Sequence, residues 1–213
     1  MKQVYYVSAF YANNMLIDIF GGKTMENKVI VLCGAPGSGK TTVRKYLTEN
    51  FAIEPVLTHT TRPKRKGEHD GIDYWFETRE TFFENHYLEY VEYDGNLYGS
   101  SYESLERAWQ KAPVATIVLD TKGAETYLER IPEKTEVVYL CVTDEKVQRE
   151  RMEQRGDDAD KIRRRLASQE AKRDKHLPER LVKHVHVIEN DDWEETKVKI
   201  QTLLQMLGIE TTC

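Results

Sequence analysis

The stretch Gly34-Ala35-Pro36-Gly37-Ser38-Gly39-Lys40-Thr41 lies between a β-branched apolar run, Val29 to Cys33, and a helical stretch, Lys40 to Asn50. It matches G-x-x-x-x-G-K-[ST] in the strand–loop–helix setting that gives the pattern its meaning. Glycines let the backbone curl so that successive N–H groups point inward at phosphate oxygens. The following helix directs the positive end of its dipole at the same spot. A lysine in this position places a point charge on β- and γ-phosphates, and the adjacent hydroxyl can ligate the Mg²⁺ that arrives with ATP. Residues 34–42, through Thr42, therefore read as an ATP-binding segment, with Lys40 as a catalytic charge and Thr41 as the metal ligand.

The rest of the chain fits a parallel sheet covered by helices, an α/β class of three layers. Val114 to Leu119 reads as a second buried strand, followed by a helix to about Arg130. Pro132 punctuates before a third strand, Glu136 to Val142. Asp144 is a plausible N-cap for a helix to about Gln154. After a polar break at 156–160, a long charged helix is expected from Lys161 to about Arg180, then a strand His184 to Ile188 and a helix Trp193 to Leu207 that stops at Gly208. Residues 58–104 break the alternation and read as an inserted subdomain of mixed or antiparallel strands, with β-like pieces at Asp73 to Phe76 and Leu88 to Tyr93.

The 213 residues fit one such domain with an insertion, and apolar residues at 39% supply one core. A net charge of −5 argues against bulk nucleic-acid binding. No apolar run is long enough to cross a bilayer, so no membrane partner is expected. Cys33, Cys141 and Cys213 form no C-x-x-C pair, which suits reduced thiols in a cytoplasmic protein. The leader that precedes Met25 shows no compact apolar segment with a small-residue cleavage site, against a secretory signal. The functional domain is expected to span 25–213, with positions 1–24 an extension of unassigned role. A monomer or homodimer is expected.

A second cluster carries the choice of acceptor. Thr60-Thr61-Arg62-Pro63-Lys64-Arg65-Lys66-Gly67-Glu68 is followed by Gly71 and Tyr74-Trp75-Phe76. Two arginines three apart can converge on one dianionic phosphate with planar donors that lysine does not reproduce. Alone, this segment reads equally as a solvated basic loop. It resembles, however, the monophosphate-binding segment T-T-R-x-x-R-x-x-E-x-x-G-x-x-Y-x-F of guanylate kinases, with every fixed position met. Leu88-Glu89-Tyr90 and Gly95-Asn96-Leu97-Tyr98-Gly99-Ser100 continue that resemblance, which covers about residues 28 to 208.

The resemblance implies a P-loop NTPase fold and transfer of phosphate from ATP to GMP or dGMP. It implies that Arg62, Arg65, Tyr74 and Tyr98 hold the acceptor phosphate, with Glu68 and Asp120 also in that site, and that Thr58, Glu89 and Ser100 hold the base. A carboxylate at Glu89 can accept from both N1–H and N2–H₂ of guanine, whereas adenine presents an acceptor at N1. Arg151, Arg155 and Arg165 match the arginines of a helical lid at 151–166, and Asn190 a position near adenine. The family's D-x-D-x-x-G is met only at its second aspartate, Asp120, with Val118 at the first. Two further readings stay open: another small-molecule kinase such as a ribose-bisphosphate kinase, which the acceptor motif and Glu89 disfavour, and a non-catalytic protein-binding module, which Lys40, Thr41 and the lid arginines disfavour.

Overall fold

In a parallel sheet covered on both faces, every strand residue is buried, so strands read as continuous apolar runs. The computed structural model describes residues 26–65, 67–93, 95–154, 156 and 158–209. Lys28–Cys33 forms β1 and Lys40–Asn50 forms α1, as their pattern predicts. Two short strands follow, β2 at Ile53–Pro55 and β3 at His59–Thr60. Next come β4 (Trp75–Phe76), α2 (Arg79–Phe82), β5 (Tyr87–Tyr93) and β6 (Asn96–Ser101). The chain then builds α3 (Tyr102–Lys111), β7 (Val114–Val118), α4 (Thr121–Arg130) and β8 (Thr135–Cys141). It ends with α5 (Glu145–Gln154), α6 (Ala159–Ala167), α7 (Gln169–Asp174), β9 (Val185–Glu189) and α8 (Trp193–Met206).

The central sheet has the order β2-β7-β1-β8-β9, with every pairing parallel. Successive residues of β1 point to opposite faces. Val29, Val31 and Cys33 pack with Leu105 and Ala108 of α3 and Ala124 and Tyr127 of α4. Ile30 and Leu32 pack on the other face with Val43 and Leu47 of α1 and Ile200, Leu203 and Leu204 of α8. Helices therefore cover both faces, giving the α/β/α layering. A second sheet, ordered β4-β3-β6-β5, is mixed: β3 runs parallel to β4 and antiparallel to β6.

This second sheet is fastened to α3 through His59, 2% exposed. Its Nδ1 lies 3.0 Å from Glu77 Oε1, and its Nε2 lies 2.9 and 3.1 Å from the Ser101 and Ser104 hydroxyls. Ser101 also caps α3 by accepting from the Ser104 N–H at 3.1 Å. No carboxylate near His59 in sequence indicates this; its partner Glu77 stands beyond the whole basic loop, at the end of β4.

Several elements differ from expectation. The long helix expected from Lys161 to about Arg180 is two helices, because Ser168 adopts extended backbone and its side chain caps α7 afresh. After Asp174 the chain runs through turns, where Pro178 could not have continued a helix. The strand expected from Asp73 shrinks to Trp75–Phe76, because short polar side chains compete locally for backbone groups. Asp73 accepts from the His69 N–H at 2.7 Å, and Asp70 accepts from the Phe76 N–H at 2.8 Å. The helix α3 was not expected. Positions 1–24, Met25 and Cys213 lie outside the described residues.

All five central strands end at one edge of the sheet, where open α/β sheets hold ligands. The loop after β1 meets the end of β9 there. Asn190, 3% exposed, donates from Nδ2 to the Ser38 carbonyl at 2.8 Å and accepts from the Thr196 hydroxyl at 3.0 Å. Replacing Asn190 with Ala strands the Ser38 carbonyl, a loss of roughly 1–3 kcal/mol, whereas the Thr196 hydroxyl keeps the Asp192 carbonyl at 2.7 Å. Asn190→Ala should lower unfolding stability by about 1–3 kcal/mol in a chemical denaturation series.

Candidate active site

The loop after β1 takes its shape from positions no side chain could fill. Gly34 and Gly39 adopt φ of +131° and +93°, and a Cβ there would collide with the Leu140 carbonyl and the Asn190 carboxamide. Only glycine enters this backbone region freely. Gly39 opens α1 with no side-chain cap, unlike α3, α4, α7 and α8, which Ser101, Asp120, Ser168 and Asp192 cap. No side chain therefore covers the first turn of α1, the kind of helix start that receives anions. Lys40 Nζ lies across the loop, donating to the Gly34 and Ala35 carbonyls at 2.5 and 2.9 Å. Thr41 and Thr42 are exposed on the first turn.

Buried polar atoms without a partner gather around this loop. They include Ser38 Oγ, Gln148 Oε1 and Arg151 Nη1. Gln148 packs against Gly37, and Arg151 Nη1 lies 4.0 Å from where a Cβ on Gly39 would sit. Arg151 is anchored by donating to the Asp191 carbonyl at 3.2 Å. Buried donors left unmade are expensive, so Ser38 Oγ and Arg151 Nη1 mark where a ligand's oxygens belong. Asn190 sits beneath the loop with both ends of its amide committed, which makes it a support for the loop.

On the acceptor side, Glu68 organises the basic segment. It takes Arg62 in a two-pronged pair at 2.9 and 2.8 Å, and it accepts from the Arg65 backbone N–H at 2.7 Å. The hydrogen bond from Arg62, then that from the Arg65 amide, holds the Glu68 carboxyl below the usual carboxylate range. The Arg62 guanidinium stacks over Tyr74 at 5.5 Å, and the Tyr74 and Tyr98 rings lie 6.5 Å apart. A cation over a ring face is drawn to its π cloud. Arg62, Tyr74 and Tyr98 are thus brought together, with the Arg65 side chain exposed beside them.

Glu89 and Ser100 are register partners across β5 and β6. Ser100, fully buried, donates to Glu89 Oε1 at 3.0 Å and accepts from the Tyr127 hydroxyl at 2.9 Å. Burial is the main force that pushes the Glu89 carboxyl up to about 7; the Asp120 charge adds to it, and hydrogen bonds from Ser100 oppose it. Thr58 lies at the start of this sheet and accepts the Trp75 N–H at its carbonyl, 2.9 Å. Asp120 caps α4 by accepting from the Gly123 N–H at 2.7 Å, and its other oxygen accepts from Arg173 at 2.6 Å.

Of the lid arginines, Arg151 reaches the loop, Arg165 is exposed on α6, and Arg155 lies outside the described residues. Sequence reasoning missed Gln148, Arg173 and Asp174. Nothing local marks them, because each acts on a partner far away in the chain. Among the described residues no group of three or more His, Cys, Asp or Glu side chains is placed to hold a metal. Thr41, exposed on the first turn of α1, presents a hydroxyl oxygen, a hard donor of the kind that Mg²⁺ accepts. Val118, at the end of β7, packs against the α1–α8 side of the core and offers no oxygen.

Glu89 carries a pH signature. Its folded pKa lies above the unfolded value of 4.5, so its contribution to stability is complete below about 4.5 and is lost as pH rises through about 7. A shift of that size is worth about 3 kcal/mol. His59 acts oppositely: burial lowers its pKa from 6.5, so its contribution is lost as pH falls below that value. The difference between wild type and Glu89→Gln isolates the first effect. Glu89→Gln should gain stability relative to wild type by about 3 kcal/mol between about pH 4 and pH 8, measured by urea unfolding at each pH.

Comparison with known proteins agrees with this geometry. The family model described as guanylate kinase matches residues 26–207. The guanylate kinase of Thermus thermophilus is 33% identical over 187 residues, covering 85% of this chain and 81% of that protein. The guanylate kinase of Alkalilimnicola ehrlichii is 29% identical, covering 84% of this chain and 88% of its own. In structure, guanylate kinase from Anaplasma phagocytophilum superposes with a TM-score of 0.60 at 26% identity, covering 86% of this chain and 87% of that one. An uncapped phosphate loop and an organised acceptor sheet on one scaffold, matched over nearly the whole described chain, place this protein in the guanylate kinase family.

Proposed function

We propose that this chain transfers the terminal phosphoryl group of ATP to GMP or dGMP, giving ADP and GDP or dGDP. The observation that carries the reading is the combination of an uncapped phosphate loop bearing Lys40 with a buried carboxylate, Glu89, held by Ser100 in the acceptor sheet. Phosphoryl transfer asks the protein mainly for positioning and charge, which this arrangement supplies.

The loop of residues 34–42 cradles the phosphates of ATP with backbone N–H groups, apart from Pro36, which has none, and Ser38, whose N–H is turned to the Ala35 carbonyl. Lys40 exchanges two neutral carbonyls for phosphate oxygens, a stronger partner for an ammonium. Arg151 offers Nη1 to the same oxygens, and Arg155 and Arg165 complete a lid that excludes water. Arg62, oriented by Glu68, joins Arg65, Tyr74 and Tyr98 on the acceptor phosphate. Glu89, when ionised, accepts from guanine N1–H and N2–H₂, with Thr58 and Ser100 beside it. Mg²⁺, bound with ATP and held by Thr41, supplies neutralisation of the phosphate charge. No helix among the described residues is long and apolar enough to cross a membrane. We assign the reaction to the cytoplasm, in a monomer or homodimer.

ADP release measured with GMP, dGMP, AMP, CMP and UMP tests the reading, with activity expected on the guanine nucleotides. Lys40→Ala should reduce turnover by orders of magnitude while the fold survives. Each charge-assisted hydrogen bond is worth roughly 1.5–3 kcal/mol, so Glu89→Gln should cut kcat/KM for GMP about ten- to a hundredfold. It should also narrow the gap to AMP, since an amide can donate to adenine N1. An unchanged GMP to AMP ratio would remove Glu89 from the base pocket.

A further inference from the structure

The helix that follows the lid, α7, is bolted to the wall of the base pocket. Arg173, at the end of α7, donates from Nη2 to Asp120 Oδ2 at 2.6 Å and from Nε to Asp174 Oδ1 at 3.1 Å. Asp174, 5% exposed, accepts in turn from the backbone N–H and the hydroxyl of Thr121 at 3.2 and 2.7 Å. The Tyr139 hydroxyl holds the Asp174 carbonyl at 2.8 Å. Both contacts land on the first turn of α4. Further along the same helix, Tyr127 donates to Ser100, which donates to Glu89. One helix therefore joins α7 at its head to the base-reading carboxylate at its flank.

The charges along this wall are unbalanced without Arg173. Asp120 and Asp174 stand at the head of α4, and Glu89 stands on β5 facing Ser100 of β6 and Tyr127 of α4. Arg173 lies between the two aspartates. The charge of Asp120 reaches Glu89 and makes its proton harder to lose. The Arg173 guanidinium, 2.6 Å from Asp120 Oδ2, is placed to offset that charge.

We infer that Arg173 is a positioning residue for the acceptor base: by pairing with Asp120 it fixes and neutralises the head of α4, the helix whose Tyr127 holds Ser100 on Glu89. The inference rests on the guanine-reading role proposed above for Glu89. An unscreened Asp120 would leave more Glu89 protonated near neutrality, and a protonated carboxyl loses one of its two acceptors for the guanine edge.

The test measures KM for GMP, KM for ATP and kcat across pH in wild type, Arg173→Met, Arg173→Lys, Asp120→Asn and the Arg173→Met/Asp120→Asn double variant, with the Tm of each. Asparagine keeps the cap on α4 through its oxygen but turns an amide N–H₂ toward Arg173, so it removes the charge and the pair together and leaves the cap. Arg173→Met should raise KM for GMP about three- to tenfold near pH 7 and move its pH midpoint up by about half to one unit, with KM for ATP within about twofold. Arg173→Lys should stay within about threefold of wild type, and the double variant should return to the level of Asp120→Asn. In a Glu89→Gln background, Arg173→Met should move no midpoint. If Arg173→Met fails to fold, Arg173→Gln gives the same comparison. A rise in both KM values with no rescue by Asp120→Asn would overturn the inference and leave Arg173 a structural tie. A wild type that turns over GMP, beside an Arg173→Met variant with unchanged KM and midpoint, would also overturn it while leaving the kinase reading intact. A wild type inert toward GMP would overturn that reading first.

Discussion

The carboxamide of Asn190 closes on the carbonyl of Ser38, and the active end of the molecule is arranged around that bond. A loop that must point its N–H groups at a ligand cannot use them to hold itself together. Its shape has to be secured from outside, through its carbonyls and through contacts where side chains are missing. Asn190 and Leu140 press on the sites where Gly39 and Gly34 lack a Cβ, and Gln148 presses on Gly37. The loop is stiff because β8, β9 and α5 hold it. The uncapped first turn of α1 is the other side of the same arrangement.

The acceptor side follows a similar logic with charge in place of shape. Glu68 takes no reacting role in the geometry; it sets the plane of Arg62 and the backbone of Arg65. An arginine held at two points by a carboxylate keeps its fork in one orientation, and the neighbouring Tyr74 face limits it further. Glu89 is placed by a neutral chain of hydroxyls from Tyr127 through Ser100, which anchors one oxygen without supplying a countercharge. Anchored cations on one side and a weakly solvated anion on the other suit a substrate with a phosphate at one end and donor N–H groups at the other.

Legibility in the sequence followed the range of the interactions. The segment from Gly34 to Thr41 was readable because consecutive residues carry the whole device, and α1 began and ended where its pattern predicted. Arg62, Arg65 and Glu68 lie within one short loop, and their resemblance to a known motif supplied a meaning that a basic loop alone lacks. Arg173 and Asp174 read as part of a solvated helix because their partners, Asp120 and Thr121, are 53 residues away. The long charged helix expected from Lys161 broke at Ser168, where a side chain that can cap competes with helix continuation, and residue-level periodicity does not register that contest. The strand at Asp73 was lost to aspartates bonding their own neighbourhood. Asn190 was visible as a site residue, yet its amide turned out to serve the loop.

The placement of the second sheet between two neighbours of the first has a kinetic consequence. The hydroxyl of Thr116 in β7 bonds the carbonyl of Ile30 in β1 across 86 residues of chain, so the centre of the large sheet is built from strongly non-local pairings. Bringing such distant strands together from a disordered chain costs closure entropy before any contact repays it. The intervening segment, however, contains β3 to β6 and α3, whose own pairings are shorter in sequence. Once those have formed, the ends of the gap are carried by a compact body and the effective loop shortens. The acceptor unit is thus placed to act as a folding guide for the sheet that will hold ATP. A substitution that loosens the His59 tie between that unit and α3 would be felt first as slower assembly of a core it never touches.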